Sequence, residues 1–475
     1  MRADRERLTD TRQGACYNQP VRASTPDTVP RPERCPLRSR IYRALTMLSL
    51  ILAGETIFLP AFHLGRYFKS SLLTTYGIDE FQLGRLGALY GVLATVSYFL
   101  GGPLADRWAP RKLMSLSLVI TALGSLYMAQ FPSFNGLQAL FAFWGVSTIL
   151  GFWAPLIRAT REWAKDHQQG LAFGILDGGR GLASAVIASA AAFAFAAMVG
   201  NQTTIAPDVE LAAIRNLVYS YGVYCLVAAF CVWCFVPDTQ PKRFQPPADN
   251  SKPQSSLLRR LGQVLRSPAI WLQAIVIIAA YSAFKMIDNY GIYAEDAYGY
   301  TRTASAHLIA NISYVRVGAA LGAGVLADKC LGVRGTIQVC FAVLILAYGM
   351  FLFITPHPGL AWLLVTNMVI SCLSFFALRG IYFALLEESG TPRELTGTAV
   401  GIISFVGYTP EIYMGPLTGW LIREARRQGD VLAGYHQIFL FLFVLAIAGS
   451  IATFALRWFS ARRPTATTEE NTDLA

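Results

Sequence analysis

The sequence predicts an all-α membrane protein with twelve transmembrane helices in two pseudo-symmetric six-helix bundles. Three observations lead to this prediction: a low charge content, long apolar runs, and a charged motif that occurs twice. Only 15% of the 475 residues are charged and 54% are hydrophobic, whereas a soluble domain carries about 25% charged residues. The apolar runs are about 20 residues long, which is the length of a helix that crosses a ~30 Å hydrocarbon core. The runs are continuous rather than alternating, which favours helices over a β-barrel.

Twelve candidate spans follow one another along the chain. Their ranges are 43–68, 81–105, 111–131, 135–158, 170–199, 212–236, 269–294, 304–327, 334–355, 359–386, 395–422 and 434–458. The polar stretch 237–268 separates two sets of six, so we expect one bundle over 41–236 and a second over 269–460. The polar, Arg-rich residues 1–40 are expected to be a disordered tail and lack the features of a signal peptide. Residues 461–475 form the expected C-terminal tail.

The positions of lysine and arginine predict the orientation in the membrane. Basic residues such as Arg107, Arg111 and Arg334 fall on one side, so both termini are expected in the cytoplasm of a multi-pass inner or plasma membrane protein. The net charge of +11 is explained in the same way and does not indicate nucleic-acid binding. The segment REARRQGD, residues 423–430, departs from the pattern because it places three arginines on the outer side.

The cysteines and the other reactive side chains give no indication of an enzyme. The eight cysteines are scattered, and the C-V-W-C spacing of Cys231 and Cys234 lies inside a predicted span, where packing is the expected role. We find no nucleotide-binding loop, metal-ligand cluster or pairing of nucleophile and base. No cofactor and no metal are therefore expected.

A charged motif follows the second span and is echoed after the eighth. GGPLADRWAPRK at 101–112 and GAGVLADKCLGVRG at 322–335 place Gly, Asp and basic residues in nearly the same layout. We interpret them as a conformational latch on the cytoplasmic side, although ordinary positive-inside loops are the alternative. The predicted latch residues are Gly102, Asp106, Arg107, Arg111, Gly324, Asp328, Lys329 and Arg334.

The Gly-x-x-x-Asp-basic pattern resembles the signature of the major facilitator superfamily, and the resemblance covers about residues 41–460. The forms D-R-x-x-P-R and D-K-x-x-G-x-R are similar to its organophosphate:phosphate antiporter branch. The resemblance implies two bundles around a cavity that opens alternately to each side. It also implies a phosphate clamp of one arginine from span 1 and one from span 7. Arg66, in FHLGRYF, matches the first, whereas span 7 has only Lys285 near the second position.

Ionisable residues inside the spans are the candidate functional residues, because charge at membrane depth is costly. Glu55 and Arg66 are eleven residues apart and share one face of a continuous helix. Asp177–Arg180 and Lys285–Asp288 are opposite charges at i, i+3, which either pair structurally or line a cavity. The predicted substrate-binding residues are Arg66, Arg180, Lys285, Arg316, Arg379, Tyr293 and Tyr382. The predicted proton-coupling residues are Glu55, Asp177 and Glu411.

These residues predict a secondary active transporter of a small organic anion of the sugar-phosphate, sulfonate or carboxylate type. Arginine grips such groups through a planar fork of donors, and buried carboxyls can carry a coupling proton. The expected partners are the anion, a proton or counter-anion and the bilayer, and the expected state is a monomer. The alternative is a proton-coupled symporter of a neutral sugar or polyol. Its substrate would be bound by Asn289, Tyr293, Asn311 and Trp153. A non-transporting sensor is disfavoured because no sizeable soluble domain is present.

Overall fold

The computed structural model describes residues 36–164, 169–200, 205–238, 264–385 and 396–461, and the regular structure in these ranges is entirely helical. The expected linker, most of the expected tails and the polar residues 386–395 lie outside the described residues. A described helix begins at Pro36, inside the range 1–40 that is expected to be a tail. The contacts reported below concern residues from Tyr42 onward, which cluster as one unit.

Nine α-helices are described before the linker, in what we call the first half, and nine after it, in the second half. The first-half helices are α1 (Pro36–Thr56), α2 (Leu59–Tyr67), α3 (Lys69–Tyr76), α4 (Glu80–Arg107), α5 (Pro110–Met128), α6 (Phe134–Ser147), α7 (Trp153–Trp163), α8 (Gln169–Val199) and α9 (Pro207–Phe235). The second-half helices are α10 (Pro268–Lys285), α11 (Ile287–Tyr298), α12 (Arg302–Ser313), α13 (Val315–Leu326), α14 (Gly332–Phe353), α15 (Ala361–Ile381), α16 (Thr396–Gly407), α17 (Pro410–Arg427) and α18 (Val431–Ala461).

Five predicted spans are each built from two helices rather than one. The pairs are α1–α2, α6–α7, α10–α11, α12–α13 and α16–α17. Pro60 and Pro410 lie in the first turns of α2 and α17, where the missing N–H is tolerated. The α1–α2 pair bends by 62°. Among the described residues, six helical stretches, or seven with the bent pair, are long and apolar enough to cross a membrane.

Helices α4 and α17 approach each other closely across the two halves because the contact is made by glycines. A Cβ added at Gly84 would lie 2.3 Å from the Gly415 carbonyl oxygen, and one added at Gly419 would lie 2.2 Å from the Glu80 carbonyl oxygen. Glycine is therefore required at this backbone-to-backbone contact. A second contact between the halves joins Ser189 on α8 to Tyr314, whose hydroxyl lies 3.2 Å from the serine oxygen.

The two repeated motifs adopt different local structures. In the first, Arg158 donates from Nη1 to the Ala105 carbonyl at 2.7 Å, at the C-terminal end of α4, and Arg111 stacks 4.6 Å from the Trp233 ring centre. The second runs through a π-helical turn, Ala327–Leu331, followed by Gly332 with φ 69°. A Cβ added at Gly324 would meet no described atom within 4 Å.

The latch itself stays a prediction. The side chains of Gly102, Asp106 and Asp328 lie outside the described side chains, and Arg107 and Lys329 are exposed.

Candidate substrate-binding site

The broken helices bring charged residues to helix ends inside the predicted membrane region. Lys285 lies in the last turn of α10 and Asp288 in the first turn of α11. Glu411 lies in the first turn of α17, whereas Arg66 and Arg379 lie in the last turns of α2 and α15. Carboxylates therefore sit at helix N-termini and cations at C-termini, which is the arrangement that the helix dipole favours.

Asp288 joins two cations of the predicted site. Its Oδ1 accepts from Arg66 Nε at 2.7 Å, and its Oδ2 lies 2.9 Å from Lys285 Nζ. Lys285 also donates to Glu411 Oε1 at 3.3 Å, and Tyr281 donates its hydroxyl to Glu411 Oε2 at 2.7 Å. We call this set the Asp288 network. It connects α2 of the first half with three helices of the second half.

Asp177 forms a second set, the Asp177 network. Its Oδ1 accepts from Arg316 Nη2 at 2.8 Å and lies 3.9 Å from Arg180 Nη1. Arg180 also lies 3.8 Å from Glu55 and donates to the Gly54 carbonyl at 3.0 Å. The Asp177 side chain is 55% exposed although it lies in the middle of an apolar helix, whereas that of Arg180 is 13% exposed. Asp177 therefore lies at the accessible edge of this network.

Aromatic rings lie beside the two networks. The Arg379 guanidinium lies 3.9 Å from the centre of the Phe284 ring, and Arg66 lies 5.5 Å from the same ring. Lys285 lies 5.5 Å from the Phe62 ring, and Arg180 lies 5.6 Å from the Trp153 ring. Cation–π contacts of this kind stabilise a cation more strongly when water is excluded.

The five predicted cations thus contact a connected group of charges and rings, but two details of the prediction are wrong. Glu55 and Arg66 do not share one helix face, because the 62° bend separates their helices and each joins a different network. Tyr293 does not contact the charges. Its side chain is 2% exposed and packs against a ring cluster that includes Phe439, so its role is packing.

Tyr382 lies nearer the charges, and two aromatic residues that the prediction missed lie beside them. The Tyr382 hydroxyl is 3.0 Å from that of Tyr408, which packs against the Tyr281 ring. The Tyr281 and Phe284 ring centres lie 5.5 Å and 3.9 Å from the Arg379 guanidinium, and their positions four residues and one residue before Lys285 are the signal that could have identified them.

A further set of charges lies at the end of the molecule formed by the α3–α4 turn, the end of α11 and the end of α17, and it explains the segment 423–430. Arg423 lies 3.5 Å from Asp79, and Arg426 contacts Glu80 at 2.7 Å and Asp296 at 2.6 Å. We call this set the far-end ion-pair layer. Two of the three arginines that depart from the charge pattern, Arg423 and Arg426, are therefore paired with acidic residues, which come from both halves.

Comparison with known proteins decides the family. The model of the Major Facilitator Superfamily matches residues 44–412. The chain belongs to this superfamily. It is 23% identical over 382 residues to the inner membrane protein YqcE of Escherichia coli, covering 80% of this chain and 87% of that protein. It is 21% identical over 412 residues to a probable hexose phosphate transport protein of Chlamydia muridarum, covering 79% and 83%.

A solved structure shares the fold. The inward-facing, unoccupied bacterial homologue of the human lysosomal transporter Spinster superposes with a TM-score of 0.65 at 17% identity, covering 91% of this chain and all of that chain. The predicted fold class, an all-α membrane protein of the major facilitator type, is confirmed, and so is the resemblance on which it was based. The chain is a multi-pass membrane protein of a transporter superfamily and not an enzyme.

Proposed function

We propose that this superfamily member is a secondary active transporter of a small organic anion that works by alternating access and is coupled to protons. One observation carries the proposal: five cations from both halves gather around helix breaks, where two shared carboxylates and one aromatic ring connect them. These cations are Arg66, Arg180, Lys285, Arg316 and Arg379. A cluster of this kind at membrane depth is a functional site by default.

The chemistry of the cluster supports an anion as substrate. Four of the five cations are arginines, whose planar donors bind carboxylate, sulfonate and phosphate groups in a bidentate manner. The relative named as a probable hexose phosphate transport protein supports the same class. The expected phosphate clamp has two arginines, but Lys285 stands near the position of the second, and Asp288 lies between Lys285 and Arg66. For this reason the proposal names an organic anion and does not require exchange for phosphate.

Ion pairs that cross between the halves support alternating access. Arg66–Asp288 and Arg316–Asp177 each join a first-half residue to a second-half residue, and the far-end ion-pair layer does the same. For the cavity to open to the far end, the Arg66–Asp288 pair and this layer have to separate. A bound anion that competes for the same cations lowers the free energy of that separation, because it replaces a carboxylate partner.

Proton coupling is assigned to the predicted carboxylates. Glu55 is 9% exposed and Glu411 is held between Tyr281 and Lys285. Protonation of either would release a cation for the substrate. Asp177 is the most exposed of the three and pairs with two arginines. We also propose an inner-membrane location with cytoplasmic termini, which the positive-inside distribution and the inner membrane relative support.

The test is uptake by purified protein reconstituted in proteoliposomes, with and without an inward proton gradient. The solutes are a labelled sugar phosphate, a sulfonate, a sugar acid and a neutral sugar. We expect gradient-stimulated uptake of at least one anion. We also expect uptake to be lost in the variants Arg66→Gln and Arg316→Gln. Arg427→Gln, an exposed arginine of α17 outside both networks, is the matched control.

The rival is a neutral sugar or polyol symporter, favoured by the fact that four of the five cations already have carboxylate partners. Uptake of the neutral sugar that survives both arginine substitutions would establish the rival. Anion uptake that ignores the proton gradient would remove the coupling claim and leave the anion claim.

A further inference from the structure

We infer that the substrate carries a single negative charge at neutral pH and that Arg379 is the residue that binds this charge. The inference rests on the proposed function, which it makes more specific by naming the charge of the substrate and its anchoring residue. It excludes dianions, such as fully ionised phosphate monoesters, as the preferred substrates of the protein in this protonation state.

The balance of charge around the two networks carries the first step. The Asp288 network contains two cations, Arg66 and Lys285, and two carboxylates, Asp288 and Glu411. The Asp177 network is balanced in the same way, with Arg180 and Arg316 against Asp177 and Glu55. With all four carboxylates ionised, Arg379 adds one positive charge that neither network neutralises.

Arg379 is also held differently from the other four cations. Among the residues that the structure describes, no carboxylate lies within 4.0 Å of it, and its guanidinium instead stacks on Phe284 and faces the Tyr281 ring at 5.5 Å. The side chain is half-buried. A buried and uncompensated charge is costly. A mobile anion that neutralises it removes this cost, so the site has a thermodynamic requirement for one negative charge.

The surroundings of Arg379 offer polar groups and access as well as charge. The hydroxyls of Tyr382 and Tyr408 are hydrogen-bonded to each other, and the Tyr408 ring packs against that of Tyr281, which itself lies beside Arg379. Asp177, 55% exposed, interacts electrostatically with Arg379, so this side of the cluster is not closed by protein packing. A substrate that enters from this side can reach Arg379 and place an organic group against the aromatic rings.

The charge balance of the two networks also predicts when the preference for a monoanion over a dianion changes. A second negative charge on the ligand would have to displace Asp288 or Asp177 from an existing ion pair, which leaves that carboxylate unpaired. If one carboxylate loses its charge, the cluster gains a second uncompensated cation and can accept a dianion. Glu411 is suitable for this change because its side-chain partners in the described structure are Tyr281 and Lys285 rather than Arg379, and a glutamine can still accept from Tyr281.

The experiment measures binding of three matched probes to the purified full-length protein by titration calorimetry at pH 7. Benzenesulfonate carries one charge, benzene-1,3-disulfonate carries two, and benzenesulfonamide is neutral. All three present one aromatic ring. We expect the wild type to bind the monosulfonate at least ~10-fold more tightly than the disulfonate, since a charged hydrogen bond is worth about 1.5–3 kcal/mol. The sulfonamide should bind more weakly than either sulfonate.

Three variants separate the parts of the inference. Arg379→Gln should weaken monosulfonate binding by roughly 10- to 100-fold, and Arg379→Lys should restore part of it. Glu411→Gln should bring disulfonate binding to at least the strength of monosulfonate binding. Each variant is first checked for its elution profile and melting temperature. If Arg379→Gln does not fold, Arg379→Lys still tests the role of Arg379, and Glu411→Gln still tests the charge balance.

Each contrary result has its own meaning. Wild-type protein that binds the disulfonate as tightly as the monosulfonate overturns the charge count. Folded Arg379→Gln that keeps its monosulfonate affinity overturns the assignment to Arg379. If neither sulfonate binds, the inference fails, and uptake of anions by proteoliposomes decides the proposed function independently. If the sulfonamide binds as tightly as the sulfonates, both the inference and the anion proposal fail.

Discussion

The central charges and the far-end ion-pair layer use the same side-chain chemistry, yet they differ in how completely the charges are matched. In the far-end layer, Arg426 contacts both Glu80 and Asp296, and Tyr435 donates a further hydrogen bond to Asp296. In the centre, five cations share four carboxylates, and Arg379 rests on a ring. In the far-end layer each charge has an oppositely charged partner within 4.0 Å, which stabilises contact between the halves. In the centre, Arg379 has no such partner among the described residues, which creates a demand for a ligand.

The packing also differs between the two regions: it is tight beside the far-end layer and interrupted by helix breaks beside the central charges. The far-end layer is adjacent to the glycine contact of α4 with α17, where backbones touch and no side chain intervenes. The central charges lie at breaks in α10–α11 and α16–α17, where the helix ladder is interrupted. Rigid packing therefore accompanies the pairs that hold the halves together, and broken helices accompany the pairs that a substrate has to rearrange.

The largest effect is expected from Asp288→Ala, because this change leaves Arg66 and Lys285 close together without their shared carboxylate. Removing one partner of a buried ion pair costs about 3–5 kcal/mol of stability. We expect a clear fall in the melting temperature of the purified protein and loss of uptake in proteoliposomes. Asp288→Asn should be milder, since the amide oxygen still accepts one hydrogen bond.

The matched control is Asp238→Asn, which removes the partner of Lys112 in an exposed pair with 3.9 Å between the charged atoms. Such pairs contribute roughly 0–1 kcal/mol. If Asp288→Ala and Asp238→Asn lowered the melting temperature equally, the Asp288 network would contribute no more to stability than an exposed ion pair.

The glycine contact gives the second prediction. A Cβ at position 84 would lie 2.3 Å from the Gly415 carbonyl oxygen, so Gly84→Ala forces α4 away from α17. Overpacking of this kind costs about 1–3 kcal/mol, measured as a lower melting temperature. Gly87→Ala is the control in the same helix, because its added methyl would meet nothing within 4 Å. A neutral Gly84→Ala with a harmful Gly87→Ala would contradict the close contact.

The sequence predicted the parts of this arrangement that depend on spacing within one helix. Asp177–Arg180 and Lys285–Asp288 were identified from i, i+3 spacing, and both pairs form. It could not predict partners chosen across helices, such as Arg66 with Asp288, because these depend on packing between the halves. Glu55 and Arg66 were misplaced because helical periodicity assumes a continuous helix, and the bend between α1 and α2 removes that continuity.

The third prediction concerns the far-end layer. Arg426→Ala leaves Glu80, which is 7% exposed, without its partner at 2.7 Å. We expect a stability loss of roughly 1–2 kcal/mol, less than for Asp288 because Arg426 itself is partly exposed and screened by solvent. The neighbouring Arg427→Ala, an exposed position, should leave the melting temperature nearly unchanged. Equal effects of the two substitutions would mean that general charge, and not the specific pairs, stabilises this end.

The smallest effect concerns Lys69, which connects the two regions. It follows α2, its Nζ donates to Asn289 Oδ1 at 2.6 Å, and burial lowers the pKa of its ammonium group to about 8. Its charged neighbours are Glu80, Asp288, Asp296 and Arg426. In the unfolded chain a lysine titrates near 10.4. Between these values the folded protein binds fewer protons than the unfolded chain, so the contribution of Lys69 to stability rises with pH.

We therefore expect the stability of the wild type relative to Lys69→Met to increase between pH 7 and pH 8.5, by just under ~1 kcal/mol. The measurement is the melting temperature of both proteins at each pH, and the readout is the difference between them. Lys69→Arg, which stays charged throughout this range, is the control and should show no such rise. A difference between wild type and Lys69→Met that falls as pH rises would mean that the ammonium form is favoured by the far-end carboxylates. Lys69 would then belong to the far-end ion-pair layer and would not lie between that layer and the central charges.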